Sequence, residues 1–302
     1  MKKFTINNAP SQKGKVAIVT GANDGIGYET SLGLIGKGVK LIMACRNKEK
    51  AEFAMANIKI KYPEADLSYI QLDLNSLNSV RSFVIEFKKR HQKLDLLINN
   101  AGIMVPPFSR TEDKFESQMG VNYFSHFLLT GLLMDELNTA DQARVISLSS
   151  IAHKSAKINF DNLNSEQKYS KMRAYGQSKL ACLMFSYELD RKLKSSGSKV
   201  ISVAVHPGAS PTNLMKHLPA FANKILIPLV KPLFNSPQNA AMPTLMAAMD
   251  PLVKGGDYFG PTGFAEMSGE PALVKAKPYA HDKIVAKQLW EISEKLVDFK
   301  FN

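Results

Sequence analysis

The chain carries a tyrosine and a lysine four residues apart, in Tyr175-Gly-Gln-Ser-Lys179. On a helix that spacing puts both side chains on one face. A fixed cation beside a phenol favours its ionised form. Tyr175 is then a candidate proton donor and acceptor near neutral pH, with Lys179 as its activator. Taken alone, such a pair is more often just a solvated helix face. A feature far upstream shifts that balance. Thr20-Gly-Ala-Asn-Asp-Gly-Ile-Gly27 is a glycine-rich turn that follows the apolar run Lys15–Thr20 and precedes a helix-compatible stretch from Gly25 to Lys37. Strand, glycine turn and helix together place a pyrophosphate on a helix N-terminus. Gly21 suits the tight turn, Gly25 close backbone approach and Gly27 close helix–strand packing. The spacing G-x-x-x-G-x-G is one residue longer at its start than the common dinucleotide fingerprint. An ordinary strand–turn–helix is the competing reading.

Other positions extend this chemistry. NAD-binding units place an acid on the ribose about twenty residues beyond the glycines. Here that region reads Ala44-Cys-Arg-Asn47, without an acid. Arg46 can clasp a phosphate bidentately, which favours NADP, with a solvated surface side chain as the alternative. Asp24, just before the second glycine, argues the other way. Asp73 follows a strand and can accept a hydrogen bond from an adenine amino group or cap the next helix. Asn99, Ala101 and Gly102 form a turn at a strand end, where small residues let a cofactor pass or simply turn the chain.

These residues need a scaffold, and strand and helix patterns alternate along most of the chain. Val39–Cys45, Leu67–Leu72, Leu94–Ile98, Ala143–Leu148 and Lys199–Val205 are apolar strand candidates. Between them lie amphipathic stretches such as Lys48–Tyr62 and Ser76–Arg90. Alternation of this kind predicts an α/β fold, a doubly wound (Rossmann-type) parallel sheet with helices on both faces. All 302 residues read as a single domain. Ligands of such folds bind beyond the carboxyl ends of the strands, where the motifs fall. The regularity stops after Pro207, because Pro211, Pro219, Pro228, Pro232 and Pro237 break residues 209–237. That stretch reads as an inserted substrate lid. Its apolar part, Phe221–Phe234, suits lipophilic substrates and, with Lys224 and Lys231, a peripheral contact with a membrane surface. A packed core helix or a dimer contact is the competing reading.

Bulk properties narrow the classes. An apolar fraction of 45% with 22% charged residues is that of a soluble globular protein. The net charge of +12 does not indicate nucleic-acid binding, because the lysines are scattered and lack interleaved aromatics. Cys45 and Cys182, the two cysteines, have neither metal-ligand spacing nor a disulfide framework, which points to a reducing compartment such as the cytoplasm and to no bound metal. The start of the chain lacks the apolar core of a signal peptide, and no apolar run reaches membrane-spanning length.

The glycine turn, Asn99-Asn-Ala-Gly102, Asn122, Ser150, Tyr175-x-x-x-Lys179 and His206-Pro-Gly208 stand in an order that resembles the short-chain dehydrogenase/reductase family, over nearly all 302 residues. Within it the chain is most similar to the retinol-dehydrogenase-like branch, through Ser149-Ser-Ile-Ala-His153, the insert ending at Arg173-Ala-Tyr175, and the tail Tyr258-Phe-Gly-Pro and Leu289-Trp-Glu-Ile-Ser293. The resemblance implies that the Ser150 hydroxyl binds the substrate oxygen. Ser149 is the adjacent alternative, and the branch's spacing back from Tyr175 selects Ser150. It also implies that Asn122 distorts its helix and holds a water near Lys179 through its carbonyl, and that Lys179 reaches the nicotinamide ribose. Asn23, Ile26 and Leu74 join the cofactor contacts, Pro207 and Gly208 lie against the nicotinamide, and Thr212 touches its carboxamide. The resemblance gives neither His153 nor His206 a chemical role.

The implied activity is an NADP-dependent oxidoreductase, with NAD as the alternative cofactor. A hydride moves between the nicotinamide and a small-molecule carbonyl or alcohol, retinal-like or another lipophilic aldehyde or ketone, in a monomer or a homodimer. Two readings compete. The epimerase and dehydratase branch shares the Tyr/Lys pair, but its G-x-x-G-x-x-G turn is absent. A cofactor-binding redox sensor or scaffold with little turnover would be expected to lose Tyr175 or Lys179, and both are present.

Overall fold

The computed structural model describes residues 4–209 and 235–301. Eight strands form one sheet: β1 (Val16–Thr20), β2 (Lys40–Cys45), β3 (Leu67–Gln71), β4 (Leu96–Asn99), β5 (Arg144–Leu148), β6 (Ile201–Val205), β7 (Tyr258–Pro261) and β8 (Pro271–Leu273). Their order is β3-β2-β1-β4-β5-β6-β7-β8. The chain winds outward from β1 to β3, returns, and continues on the other side with β4. The order therefore reverses between β1 and β4, which places a crevice at their carboxyl ends. The parallel expectation holds up to β7. The edge strand β8 runs antiparallel to it, pairing Phe259 with Leu273 and Gly260 with Ala272. These last two strands are short, and Gly260, Pro261 and Pro271 interrupt their apolar alternation.

Helices cover both faces. Ile18 and Ile42 point to the face covered by α3 (Leu77–Arg90), α5 (Ser125–Leu132), α7 (Lys171–Ser195) and α9 (Lys283–Leu296). Ala17, Val19, Leu41 and Met43 point to the other face, under α1 (Gly25–Ile35), α2 (Lys48–Lys61) and α8 (Pro237–Met249). This two-sided burial explains why the inner strands read as continuous apolar runs. Local signals start several helices. The side chains of Asp24, Asn47, Ser236 and Asp282 accept backbone N–H groups at the first turns of α1, α2, α8 and α9. Asn47 lies three residues before Lys50, whose N–H it binds at 2.8 Å.

A short helix α4 (Ser117–Met119) runs into α5 through a π-helical segment, Gly120–Phe124. The helix is thus distorted at Asn122, as the resemblance implies; such segments recur at functional sites. A short helix α6 (Met134–Asn138) follows α5. Most of the expected lid, including Thr212, Lys224 and Lys231, lies outside the described residues. Its last residue, Pro237, is the first residue of α8, where the missing N–H has no cost. Among the described residues no helix is long and apolar enough to cross a membrane.

Candidate active site

At the reversal point the residues after β1 and β4 face each other across a cleft of about 580 Å³. Gly21, Asn23, Gly25, Ile26 and Gly27 line one wall, and Ala101 and Gly102 the opposite one. Arg46, Tyr175, Lys179 and Pro207 also reach it. The cleft thus gathers residues spread over more than half the chain. Asp73, Leu74, Asn99, Asn122, Ser150 and Gly208 lie outside this lining.

The glycine turn divides its work. A side chain on Gly27 would run into the Gly21 carbonyl oxygen and Asn100 Nδ2, so α1 can approach the strand only with glycine there. Gly25 has φ +52° and nothing within 4 Å of where a Cβ would stand, an open cradle at the α1 N-terminus. Backbone N–H groups at such a terminus are donors suited to a pyrophosphate. Asp24 is exposed, and its Oδ1 accepts the Gly25 N–H at 2.7 Å. Its presence is explained as the helix cap. Arg46 is exposed at the rim and makes no hydrogen bond or ion pair among the described residues. Donors and open cradle fit the pyrophosphate of a dinucleotide, with the Arg46 guanidinium at the rim.

The turn is held from behind by Thr20. Its Oγ1 accepts the N–H groups of Asn100 and Ala101, both at 2.9 Å, and lies 2.9 Å from His126 Nε2. Asn100 Nδ2 donates to the Thr20 carbonyl at 2.7 Å. His126 Nδ1 faces the Asn122 carbonyl at 3.0 Å, which can only accept, so Nδ1 carries the proton and Nε2 accepts from Thr20. Burial holds this imidazole neutral, with a pKa lowered to about 4. Thr20 and Asn100 stand within the sequence motifs without an evident role, and His126 lies outside every motif. Asn99 instead turns inward, donating to Thr130 Oγ1 at 3.0 Å. Strand alternation beyond β4 was the signal that separates the two asparagines.

Tyr175 and Lys179 lie one turn apart in α7, with Lys179 Nζ 6.0 Å from the Tyr175 ring centre. Lys179 is buried and donates to the Leu148 carbonyl at 3.0 Å. The Asn122 side chain accepts the Ile103 N–H at 2.8 Å and donates to the Ile103 carbonyl and to Ser178 Oγ. It thereby fixes the β4 loop against α7. The Asn122 carbonyl itself takes the His126 Nδ1–H and the weaker Cys182 S–H. Ser149 Oγ donates to the Lys179 carbonyl at 2.8 Å, which commits it to holding α7. Ser150 is buried in extended backbone, and its Oγ accepts the Ala152 N–H at 3.2 Å, leaving its proton free to point elsewhere. Asp73 Oδ1 accepts the Asn75 N–H at 2.9 Å, a local turn cap. Leu74 is buried, and its carbonyl accepts from Ser125 Oγ.

A phenol, an ammonium and a dinucleotide cradle in one cleft are the parts of a hydride-transfer site. Residues 15–223 match the family model of the short chain dehydrogenases. The chain belongs to the short-chain dehydrogenase/reductase family. It is thus an NAD(P)-dependent oxidoreductase acting on small molecules. Human retinol dehydrogenase 13 is 42% identical, the match covering 94% of this chain and 85% of that protein. Human retinol dehydrogenase 14 is 41% identical over 94% and 86%. Both support the retinol-dehydrogenase-like branch. Among solved structures, an uncharacterized protein from Mycobacterium paratuberculosis is similar over 100% of both chains, at 35% identity and TM-score 0.84. The NADP active-site complex of RhlG from Pseudomonas aeruginosa shares the fold, with TM-score 0.66 and 23% identity over 82% of this chain and 94% of that one.

Proposed function

We propose that this single-domain enzyme is an NADP-dependent reductase or dehydrogenase of a lipophilic carbonyl or alcohol, with Tyr175 as proton donor and acceptor. The observation that carries the reading is the meeting of Tyr175 and Lys179 with the glycine turn and Arg46 around one cleft. The names of the retinol dehydrogenases support a lipophilic substrate, and the unpartnered Arg46 guanidinium supports NADP over NAD. The unbridged Cys45 and Cys182 support a cytoplasmic location.

In this reading Gly21, Asn23, Gly25, Ile26 and Gly27 hold the pyrophosphate, and Arg46 holds the ribose phosphate. Asp73 and Leu74 flank the adenine. Ala101 and Gly102 form the middle wall, Asn99 steadying their turn from behind through Thr130 instead of lining the cleft, and Pro207, Gly208 and Thr212 back the nicotinamide. When bound, the nicotinamide supplies or accepts the hydride. Ser150 and Tyr175 hydrogen-bond the substrate oxygen and orient it. The Tyr175 hydroxyl gives its proton to that oxygen during reduction and recovers it during oxidation. Lys179 favours the phenolate left behind, and its anchor on Leu148 keeps the ammonium in place. A relay water on the Asn122 carbonyl takes the place of the weak Cys182 contact.

The deciding experiment is an NADPH- and NADH-oxidation screen against aldehydes and ketones of graded chain length. Turnover rising with chain length and favouring NADPH supports the proposal. Tight cofactor binding without turnover of any carbonyl would replace it by the sensor reading.

A further inference from the structure

The loop between β7 and β8, residues 262–270, stands at the carboxyl edge of the sheet beside the site. It contains two consecutive non-glycine residues in the left-handed region, Ala265 at φ +50° and Glu266 at φ +57°. Such backbone is costly for residues with a Cβ and persists where surroundings hold it. Backbone bonds hold it in part, the Glu266 N–H donating to the Gly263 carbonyl at 2.9 Å, and the Glu266 side chain ties it to its surroundings. Its Oε1 lies 2.7 Å from Lys154 Nζ, and its Oε2 lies 3.0 Å from His206 Nε2. The Gly208 N–H donates to His206 Nδ1 at 3.3 Å, so in the neutral ring Nε2 carries the proton that faces Glu266. His206 is fully buried, and burial lowers its pKa. His206 and Lys154 together hold the Glu266 carboxyl at about 2, so Glu266 meets both as an anion; Oε2 and Nε2 approach to 3.0 Å without the alignment of a full hydrogen bond, so the contact is an electrostatic one.

The two partners belong to different walls of the site. Lys154 lies in the short 3₁₀ segment Ile151–Ser155, which Ser150 caps. His206 immediately precedes Pro207 and Gly208. The same loop holds that turn a second time, since the Ala209 N–H donates to the Met267 carbonyl at 2.8 Å. Asn235 closes the arrangement, donating from Nδ2 to the Pro207 carbonyl at 3.0 Å.

We propose that Glu266 is a positioning residue for hydride transfer: by gripping Lys154 and His206 together, it sets the separation between the serine that holds the substrate oxygen and the turn that backs the nicotinamide. The inference rests on the function proposed above. A misplacement of about 1 Å between reacting groups can cost on the order of a hundredfold in rate without much effect on the binding of either. Gln at 266 can satisfy only one partner. Its amide oxygen accepts from Lys154 or His206, and its NH2 then faces a donor.

The test compares Glu266→Ala, Glu266→Gln and Lys154→Met with wild type. Measured are kcat and KM for the best carbonyl of the chain-length series, and Kd for NADPH and for 2′-phospho-ADP-ribose, which lacks the nicotinamide. For Glu266→Ala we expect kcat to fall about tenfold or more, with KM and the Kd of 2′-phospho-ADP-ribose within about threefold of wild type. Glu266→Gln should recover part of the loss. Lys154→Met should lower kcat, and adding it to Glu266→Ala should cost little more. Wild-type kcat in Glu266→Ala overturns the inference. So does a parallel loss of 2′-phospho-ADP-ribose binding, which would mark a general structural role. Should Glu266→Ala fail to fold, the half-exposed link is tested through Lys154→Met alone, and unchanged kcat there overturns it. A wild type that turns over no carbonyl brings down the functional reading and this inference with it, whereas wild-type turnover with unaffected variants removes the inference alone.

Discussion

Lys179 Nζ donates to the backbone carbonyl of Leu148 at 3.0 Å, so the last residue of β5 anchors the ammonium one turn from Tyr175. The sheet thereby fixes one end of the Tyr175/Lys179 pair and α7 the other. The flexible four-carbon stem is then not free to wander. Ser149 tightens the same joint by donating to the Lys179 carbonyl at 2.8 Å.

Tyr175→Phe keeps the ring in this frame and removes only the hydroxyl. Turnover should fall by at least about two orders of magnitude, the usual scale for a lost general acid. Cofactor affinity, read by NADPH fluorescence titration, should stay near wild type. Near-normal turnover in this variant would take the proton-transfer role away from Tyr175.

Arg46 stands exposed at the cleft rim with no protein partner among the described residues. Arg46→Asp removes the phosphate clasp and offers an acid to an unphosphorylated ribose. The ratio of kcat/KM for NADPH over NADH should drop by about tenfold or more, on the scale of one charge-assisted contact of roughly 1.5–3 kcal/mol. Steady-state kinetics with both cofactors measure it. A wild type that prefers NADH, with no shift in the variant, contradicts the assignment.

Asp24 caps α1 at the very end that faces the proposed pyrophosphate. Cap and charge can be separated. Asp24→Ser retains an acceptor for the helix N–H groups but removes the anion, so stability should change by less than about 0.5 kcal/mol. NADPH should bind about two- to tenfold more tightly at low salt, with the gain shrinking as salt screens the charge. Asp24→Ala, by contrast, should destabilise the fold by about 1 kcal/mol. Equal affinities at every ionic strength would show that Asp24 does not oppose the phosphates.

Six strands were readable because each is an apolar run in a sheet buried on both sides, and amphipathic period marked the helices between them. The glycine turn and Tyr175/Lys179 were readable because the chemistry demands those residue types at short, fixed spacing. Strands β7 and β8 were not, since Gly260, Pro261 and Pro271 hide their pattern. Asn99, expected at the cofactor, turns inward while its neighbour Asn100 lines the cleft, because only the strand's pleat decides which one faces it. His126 and Glu266 act through contacts far away in sequence, with Thr20 and with Lys154 and His206. No local pattern announces such partners.

The buried histidines make stability depend on pH in a defined window. Burial lowers His126 from 6.5 to about 4, and His153 likewise. A folded-state pKa below the unfolded one means that, between these values, the unfolded chain binds more protons. Their contribution is therefore complete above about pH 6.5 and is lost as the pH falls towards 4. Glu266, held at about 2, loses its own contribution only below about pH 4.5, under most of that window. A shift from 6.5 to about 4 corresponds to roughly 3 kcal/mol per histidine as an upper bound. Urea unfolding should then show wild type losing a few kcal/mol between pH 7 and pH 4.5. His126→Gln should be less stable at pH 7, because the Thr20 and Asn122 bonds are imperfectly replaced. Its stability should nevertheless fall less steeply with acid, by about one histidine's share. Identical pH slopes in the two proteins would mean that His126 is not held neutral in the fold.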